Sequence, residues 1–415
     1  MPYDPFKRNR WARGLIHFHT KFSDGWASVL RAGEIAARNG YDFLIVTDHL
    51  RNLKLFTRKT LQEYILACDE ATRRLGIPVI PGGEMEVRWN NPRTSDFSEG
   101  HTLALCIRSL VAAGEFDWDT PGTDPYAHWK DSEGQVGTIL AIQEKLREYH
   151  LPPLASHQFQ HSTISKRPGE SSDYRYDLDR LDTSRYFDFF YSGAIELIHE
   201  MEDIELVNQY SLPDPEKLKG IYSSCDFHVG PETTWPPIAR VVDRFWLSRT
   251  FYRWIFRNGA SLLLRLKGKA EAAAFPSFAE EQLSHATYVY LGENPCTEET
   301  VLEALRDGRT CVTRGYAEFA AFGPPPSFTS IYPGPIHISL SLPSSYSEPR
   351  PRSVIVFRDG NVVHWEPYAI VNPAIMFTYV DLHAPPGRHV YQVYVPSKFL
   401  SSPILVEQRE RRNDS

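Results

Sequence analysis

The segment GLIHFHTKFSDG, residues 14–25, ends an apolar run with His17 and His19 and reaches Asp24 five residues later. Side chains at positions i and i+2 of a β-strand share one face, so a strand here directs both imidazoles the same way. A single His-x-His pair is weak evidence for a site. It becomes informative when other strands of the same chain end in matching metal-ligating side chains.

Matching side chains do stand at the ends of other predicted strands. Apolar runs alternate with amphipathic helices through the first two thirds of the chain, which predicts parallel βαβ units in a barrel or a doubly wound sheet. Active sites in such folds form at the carboxyl ends of the strands. The residues at those ends are His17, His19, His49, Glu84, His157, Asp226 and His228, and His101 begins a further strand.

The chemistry of this set points to divalent metals. Imidazole and carboxylate ligands without thiolate suit Zn, Mn, Fe or Co. With Asp24 the set has nine members, more than one tetrahedral ion accepts, so we expect two or three ions that share a bridging carboxylate. Clustered ions activate water and stabilise attacking and leaving oxygens, which is hydrolytic chemistry. Asp48 is interpreted as a carboxylate that orients His49 or caps the segment after it.

The motifs HFHTKFSDG, TDH, PGGE, a later lone His, ASH and CDFH, in this order, resemble the PHP family (polymerase and histidinol phosphatase). The resemblance implies an α/β fold with a distorted (β/α)7 barrel, TIM-like in outline, over residues 1–322. The β-branched and aromatic runs that follow predict a small antiparallel β-sandwich over 323–415. A sandwich after the barrel resembles the carbaryl-hydrolase-like (CehA/McbA) subgroup of that family.

The resemblance also implies a role for each ligand. The first ion would be held by His17, His19, Glu84 and Asp226. Glu84 would bridge to a second ion held by His101 and His157, and Asp24, His49 and His228 would hold a third and act in catalysis. A bridging hydroxide would be the nucleophile. Gln158 stands where many family members carry proline, so His161 is an alternative to His157.

The composition and charge of the chain limit the kinds of partner that it is expected to bind. The net charge of −7 gives no general attraction for nucleic acid or anionic lipid. The sequence shows no signal peptide and no apolar run that could span a membrane, and its five scattered cysteines predict reduced thiols and a cytoplasmic location. A basic and aromatic helical insertion is predicted over 238–284. Its residues 238–269 are expected to pack on the barrel or on a second copy in a homo-oligomer. Peripheral membrane or partner contact is the first alternative and contact with nucleic acid the second.

Three functions are compatible with these residues. The favoured one is a phosphoesterase acting on a small anionic phosphomonoester or phosphodiester, because Arg51, Lys54, Arg58 and Lys59 follow His49 and suit an anion. The second is a hydrolase of a carbamate, an amide or a carboxylic ester, which the predicted sandwich suggests. The third is a non-catalytic, metal-stabilised partner-binding module. The metal ligands do not separate the first two, because they activate water for either bond.

Overall fold

The computed structural model gives the architecture of most of the elements predicted above. The residues it describes are 11–23, 25, 27–50, 61–90, 97–116, 126–149, 154–156, 195–197, 220–223, 227–228, 285–314, 332–333, 337–343, 352–368, 374–395 and 399–408. The predicted insertion 238–284 lies outside them. No helix within these ranges has the length and hydropathy that a membrane crossing requires.

Two of the helices begin at residues that cap their N-termini. The helices of the described residues are α1 (Val29–Arg38), α2 (Leu61–Leu75), α3 (Arg108–Ala112), α4 (Ile139–Glu148) and α5 (Glu298–Arg306). Ser28 caps α1, because its side chain accepts a hydrogen bond from the Arg31 backbone N–H at 3.2 Å. Thr297 and Thr300 form a reciprocal capping box at the start of α5.

The strands fall into two runs along the chain. The first run is β1 (Trp11–His19), β2 (Phe43–Val46), β3 (Val79–Pro81), β4 (Gly83–Asn90), β5 (Phe97–Ala104), β6 (Leu154–Ser156), β7 (Ile195–Leu197), β8 (Ile221–Ser223), β9 (Phe227–His228), β10 (His285–Tyr290) and β11 (Thr310–Arg314). The second is β12 (Tyr332–Pro333), β13 (His337–Pro343), β14 (Arg352–Arg358), β15 (Asn361–Tyr368), β16 (Ala374–Val380), β17 (Gly387–Val395), β18 (Phe399–Ser401) and β19 (Ile404–Gln408).

A large mixed sheet of twelve described strands connects both runs. Its main path is β12-β19-β17-β18-β11-β10-β1-β2-β3, with β9 beside β1 and the β14–β15 hairpin attached through β17. Strands β1, β2 and β3 are parallel, whereas β10, β11 and β18 add to the sheet antiparallel. Smaller sheets are formed by β4–β5–β6, β7–β8 and β13–β16. The molecule is therefore a mixed α/β protein with one sheet shared between its N-terminal and C-terminal parts.

The prediction of parallel βαβ units is correct for β1–β2–β3 and wrong for β4–β5–β6. Strand β5 runs antiparallel to both β4 and β6. Only residues 91–96 separate β4 from β5, and a parallel connection needs a crossover of a dozen residues or more. The barrel and the C-terminal sandwich stay predictions. The hairpin at Asp359-Gly360 is confirmed, because both residues have positive φ (52° and 76°), as a type I′ turn requires.

The buried apolar residues lie on both sides of β1–β3. Leu15, Leu44 and Val46 belong to the core under α1 and α2, whereas Ile16 and Ile45 belong to the core closed by α5. The two sets alternate along β2, as expected for a strand buried on both faces. Four of the buried polar residues, His17, His19, Asp48 and Glu84, lie near one end of these strands.

Strand β1 departs from this alternation at His17. The register against β2 passes from Ile16↔Ile45 to Phe18↔Val46, so β1 contains one extra residue. His17 is that residue, and its φ of 71° is the left-handed conformation typical of one kind of β-bulge. As a result Phe18 joins the core that contains Leu15, not the one that contains Ile16.

Gly14 tests how tightly β1 packs on β2. A Cβ at position 14 would lie 1.8 Å from Cζ of Phe43. We expect Gly14→Ala to lower the free energy of unfolding by about 1–3 kcal/mol, the usual cost of overpacking. Denaturant unfolding of Gly14→Ala, Phe43→Leu and the double variant measures the coupling. The packing argument fails if Phe43→Leu costs as much in the Gly14→Ala background as in the wild type.

Candidate metal centre

The bulge in β1 brings two imidazoles together at the end of the strand. His17 and His19 are fully buried, and their Nε2 atoms lie 3.1 Å apart. Two Nε2 atoms at this distance cannot both carry a proton directed at the other, so at least one presents its lone pair to the cluster. A nitrogen lone pair held in a buried position is what a divalent cation binds.

Glu84 and His49 complete a cluster of four. Oε2 of Glu84 lies 3.6 Å from Nε2 of His17, 3.1 Å from Nε2 of His19 and 3.0 Å from Nδ1 of His49. The Glu84 side chain is 1% exposed and that of His49 is 13% exposed. We refer to His17, His19, His49 and Glu84 as the histidine–glutamate cluster.

Backbone contacts fix where Glu84 and His49 stand. The Glu84 N–H donates to the Asp48 carbonyl at 3.0 Å, the Leu50 N–H donates to the Glu84 carbonyl at 3.0 Å, and His49 and Glu84 form a parallel bridge. Gly82 permits this approach, since a Cβ there would lie 2.7 Å from the Ala104 carbonyl oxygen. Gly82 of the PGGE motif thus allows the backbone to pass close to the Val46 and Ala104 carbonyl groups, two residues before Glu84.

The donor set fits a divalent metal ion. Ligand atoms of His17, His19 and Glu84 all lie within 4.8 Å of one another in a buried site. Two ligands of one tetrahedral ion, bound at about 2.0–2.2 Å, lie roughly 3.3–3.6 Å apart, close to the separations in the cluster. A buried carboxylate also needs positive charge nearby, because desolvation of an unpaired one costs several kcal/mol. A possible metal site is therefore present at the end of β1.

Asp48 holds the turn that follows β1. Its Oδ1 accepts hydrogen bonds from the Thr20 N–H (2.7 Å), the Ser23 N–H (3.1 Å) and the Ser23 hydroxyl (2.6 Å), and its Oδ2 accepts from the Thr20 hydroxyl (2.7 Å). These hydrogen bonds go to Thr20 and Ser23 and not to His49, and the segment that Asp48 was expected to cap begins at residue 51, outside the described residues. Burial raises the pKa of the Asp48 carboxyl, while the charge of His19 and the hydrogen bonds from Ser23 and Thr20 oppose that rise.

The same turn supports His19 from behind. Nδ1 of His19 lies 3.4 Å from the Ser23 hydroxyl, which donates to Asp48. If His19 binds an ion through Nε2, its Nδ1–H is directed at Ser23, an outer contact of the kind that fixes the orientation of a ligating imidazole. Thr20 and Ser23 were not predicted from the sequence to support the site. The available signal was two hydroxyl residues within four positions after His19, in a chain that also carries the sequence Thr47-Asp48-His49.

For two of the other predicted ligands the structure describes only the backbone position, and the rest lie outside the described residues. In β5, His101 pairs with Glu86, two steps along the ladder from the Glu84↔Leu103 pair. In β9, His228 pairs with His19 of β1. The remaining predicted residues, together with the basic loop after His49, lie outside the described residues; they are Asp24, His157, His161, Asp226 and residues 51–59.

The described cysteines do not offer an alternative nucleophile. Cys68, Cys106 and Cys311 are buried free thiols, and Cys296 is half-buried. Burial raises the pKa of Cys106 and of Cys296 to about 12, and those of Cys68 and Cys311 rise well above the ordinary value for the same reason. Thiolate is the nucleophile and the metal ligand, so within the described part of the chain these residues are structural.

Comparisons with known proteins give a limited likeness. No protein-family model and no curated protein matches the chain. Among solved structures it is similar to a two-domain protein from Bacteroides vulgatus that contains a predicted PHP-like metal-dependent phosphoesterase, with 14% identity, 95% of each chain covered and a TM-score of 0.42. It is also similar to an amidohydrolase from Chromobacterium violaceum, with 17% identity, 52% of this chain and 87% of that chain covered, and a TM-score of 0.31. The function is therefore inferred from the residues of this chain.

His17 is a candidate metal ligand that also has a strained backbone, and two substitutions separate these two properties. His17→Gly and His17→Ala both remove the imidazole, so we expect both to weaken metal binding. A φ of 71° strains a residue that has a Cβ, such as alanine, but does not strain glycine. Metal-free His17→Gly should therefore be about 1 kcal/mol more stable than His17→Ala. Denaturant unfolding in the presence of a chelator measures this difference. Equal stability of the two variants would show that the bulge is absent in solution.

Asp48 is expected to support the metal centre without touching an ion. Asp48→Ala leaves the buried donors of Thr20 and Ser23 without their acceptor, so we expect a loss of about 2–4 kcal/mol in unfolding free energy and about tenfold weaker Zn²⁺ binding. Asp131→Ala is the matched control, because Asp131 holds the Glu133 and Gln135 N–H groups and the Thr138 hydroxyl in another buried turn. It should lose stability but keep its metal affinity. Unchanged affinity in Asp48→Ala would contradict the supporting role.

Proposed function

We propose that this protein is a metal-dependent hydrolase of the PHP type and that it acts as a phosphoesterase on a small anionic substrate. The observation that carries the proposal is the buried histidine–glutamate cluster at the end of a parallel strand. Three imidazoles converge on one carboxylate oxygen within 3.6 Å. A purely structural core would not be expected to contain these four groups, because burying them without a cation raises the free energy of the folded state.

The complete ligand set is part of this proposal. The ordered motifs support nine ligands for two or three Mn, Zn or Fe ions; they are His17, His19, Asp24, His49, Glu84, His101, His157, Asp226 and His228. The backbone register of His101 and His228 beside strands of the cluster favours their inclusion. The proposed frame is a PHP barrel over 1–322 followed by a sandwich over 323–415, in the carbaryl-hydrolase-like subgroup.

The four side chains of the cluster differ in solvent exposure, and we assign them different roles on that basis. When bound, divalent ions lower the pKa of a water ligand and stabilise negative charge on substrate oxygens. Glu84 supplies the negative charge that holds cations in the buried site, and His17 and His19 fix the position of the centre from β1. His49 is 13% exposed whereas the other three side chains are at most 1% exposed. Substrate is therefore expected to approach on the His49 side of the cluster.

The substrate class is inferred from charge along the sequence. Arg51, Lys54, Arg58 and Lys59 follow directly after His49. Cations beside a metal centre favour substrates with a phosphate group, because guanidinium and ammonium groups bind its oxygens strongly. Hydrolysis of a carbamate, an amide or a carboxylic ester is the alternative, since the same cluster would activate water for those bonds as well.

Metal removal and one isosteric substitution test the proposal. We expect the metal-loaded protein to hydrolyse one class from a panel of phosphomonoesters, phosphodiesters, nucleotides and aryl carbamates. A strong chelator should abolish turnover and Mn²⁺ or Zn²⁺ should restore it. Glu84→Gln keeps the shape but removes the charge, so its turnover should fall to that of the metal-free protein.

The control for Glu84→Gln is His364→Ala, which removes a half-buried histidine from β15 that contacts Glu366 and not the cluster. Its turnover should equal that of the wild type. Hydrolysis that survives chelation, or a Glu84→Gln variant with full activity, would overturn the proposed function. Activity confined to carbamates or carboxylic esters would replace the phosphoesterase proposal with its alternative.

A further inference from the structure

Strand β8 has an edge whose backbone groups are satisfied by side-chain hydroxyls. The N–H and C=O of one residue point to the same edge of a strand, and those of the next residue point to the other edge. Ile221 and Ser223 therefore share an edge, and Tyr222 supplies the opposite one, while β7 runs parallel beside β8. Buried backbone groups need partners, and here the partners of Ile221 and Ser223 come from three other elements.

The partners are Thr287 of β10, Thr310 of β11 and Ser402, which directly follows β18. The Ser223 N–H donates to the Thr287 hydroxyl at 2.8 Å, and that hydroxyl donates to the Ser223 carbonyl at 3.2 Å. The Ile221 N–H donates to the Ser402 hydroxyl at 3.0 Å, and the Thr310 hydroxyl donates to the Ile221 carbonyl at 2.5 Å. All three hydroxyl residues are fully buried. We refer to Thr287, Thr310 and Ser402 as the hydroxyl clasp.

The hydrogen bonds of Ile221 form a closed ring. The hydroxyl oxygens of Thr310 and Ser402 lie 2.6 Å apart. Because the Thr310 proton is used on the Ile221 carbonyl, Ser402 is the donor between the two hydroxyls. Each hydroxyl then donates once and accepts once, so no buried proton is left over. The Ser402 N–H also donates to the Thr310 carbonyl at 3.1 Å, which ties the ring to the β11–β18 pair.

The strand held in this way leads into the candidate metal centre. Four residues after Ser223, β9 pairs with the end of β1 through Phe18↔Phe227 and His19↔His228. Any displacement of β8 along or away from β10 and β11 therefore changes how the chain reaches the backbone position beside His19. One member of the clasp, Ser402, belongs to the C-terminal part of the chain.

We propose that the hydroxyl clasp is a positioning device for the metal centre, so that Thr287, Thr310 and Ser402 set the place of the strand that delivers His228 beside His19. The C-terminal strands are then an integral part of the hydrolase, not a separable partner-binding unit. This proposal rests on the proposed function, because it assigns the clasp a role in metal binding in addition to a role in stability.

Thr310 offers a matched set of variants. Thr310→Val replaces the hydroxyl with a methyl group of the same size, and Thr310→Ser retains the hydroxyl. Thr313→Val is the control on the same strand, because the Thr313 hydroxyl is buried and has no hydrogen-bond partner among the described residues. The measurements are amide exchange at 221–223, Zn²⁺ affinity by competition with a chromophoric chelator, and the visible absorption spectrum of the Co²⁺-loaded protein.

We expect Thr310→Val to exchange faster at residue 221, to bind Zn²⁺ about tenfold more weakly or worse, and to show a changed Co²⁺ spectrum. Thr310→Ser and Thr313→Val should match the wild type within about twofold. Thr310→Val with wild-type affinity and an unchanged Co²⁺ spectrum would overturn the positioning role, even if exchange at 221 became faster. A wild-type protein that binds no metal and hydrolyses nothing would instead overturn the proposed function.

A folding defect is treated separately. If Thr310→Val does not fold, Ser402→Ala carries the same expectation, because it removes only the acceptor of the Ile221 N–H and the donor to Thr310. Normal Zn²⁺ affinity and Co²⁺ spectrum in Ser402→Ala would again overturn the proposal. If neither variant folds while Thr313→Val does, the clasp holds the whole sheet together and the specific positioning role is rejected.

Discussion

The ladder between β1 and β2 gains one residue at His17, and the geometry of the candidate centre depends on that residue. Without it, Phe18 would share a face with Ile16 and the two histidines would follow the simple alternation of a strand. With it, Phe18 fills the core under α1 and α2, and the Nε2 atoms of His17 and His19 converge at 3.1 Å. The left-handed backbone at His17 is unfavourable for a side chain with a Cβ, and such strain at a strand end is typical of functional sites.

The carboxylates around this bulge have separate tasks. Glu84 meets three imidazoles and provides the negative charge of the cluster. Asp48 lies one residue from His49 but uses its oxygens on the turn after β1, so it shapes the approach to His19. The two buried acids have different partners, because Asp48 accepts hydrogen bonds from neutral donors whereas Glu84 is surrounded by imidazoles.

Sequence patterns predicted individual elements and turns, but they missed the bulge in β1, the direction of β5 and one long-range contact. The helix after Ser28, the buried strand Phe43–Val46 and the Asp359-Gly360 turn follow from capping, apolar runs and turn chemistry. The four clustered residues were all identified because they stand at or next to predicted strand ends. The bulge was missed, since no glycine marks the positive φ at His17. The antiparallel direction of β5 was missed because an apolar run does not reveal which way a strand runs in its sheet. The bond from Ile221 to Ser402 was missed because a contact over 181 positions leaves no periodic signal.

The shared sheet has a consequence for how the chain is made. Among the described strands, β11 has β10 on one side and β18 on the other, and residues 315–398 lie between β11 and β18 in the chain. During synthesis the edge of β11 therefore stays uncovered until that long stretch has left the ribosome. An open edge is a template for pairing with other chains, and contacts of this separation form slowly. Nascent or truncated chains that end before β18 are thus exposed to aggregation in a way that the finished molecule is not.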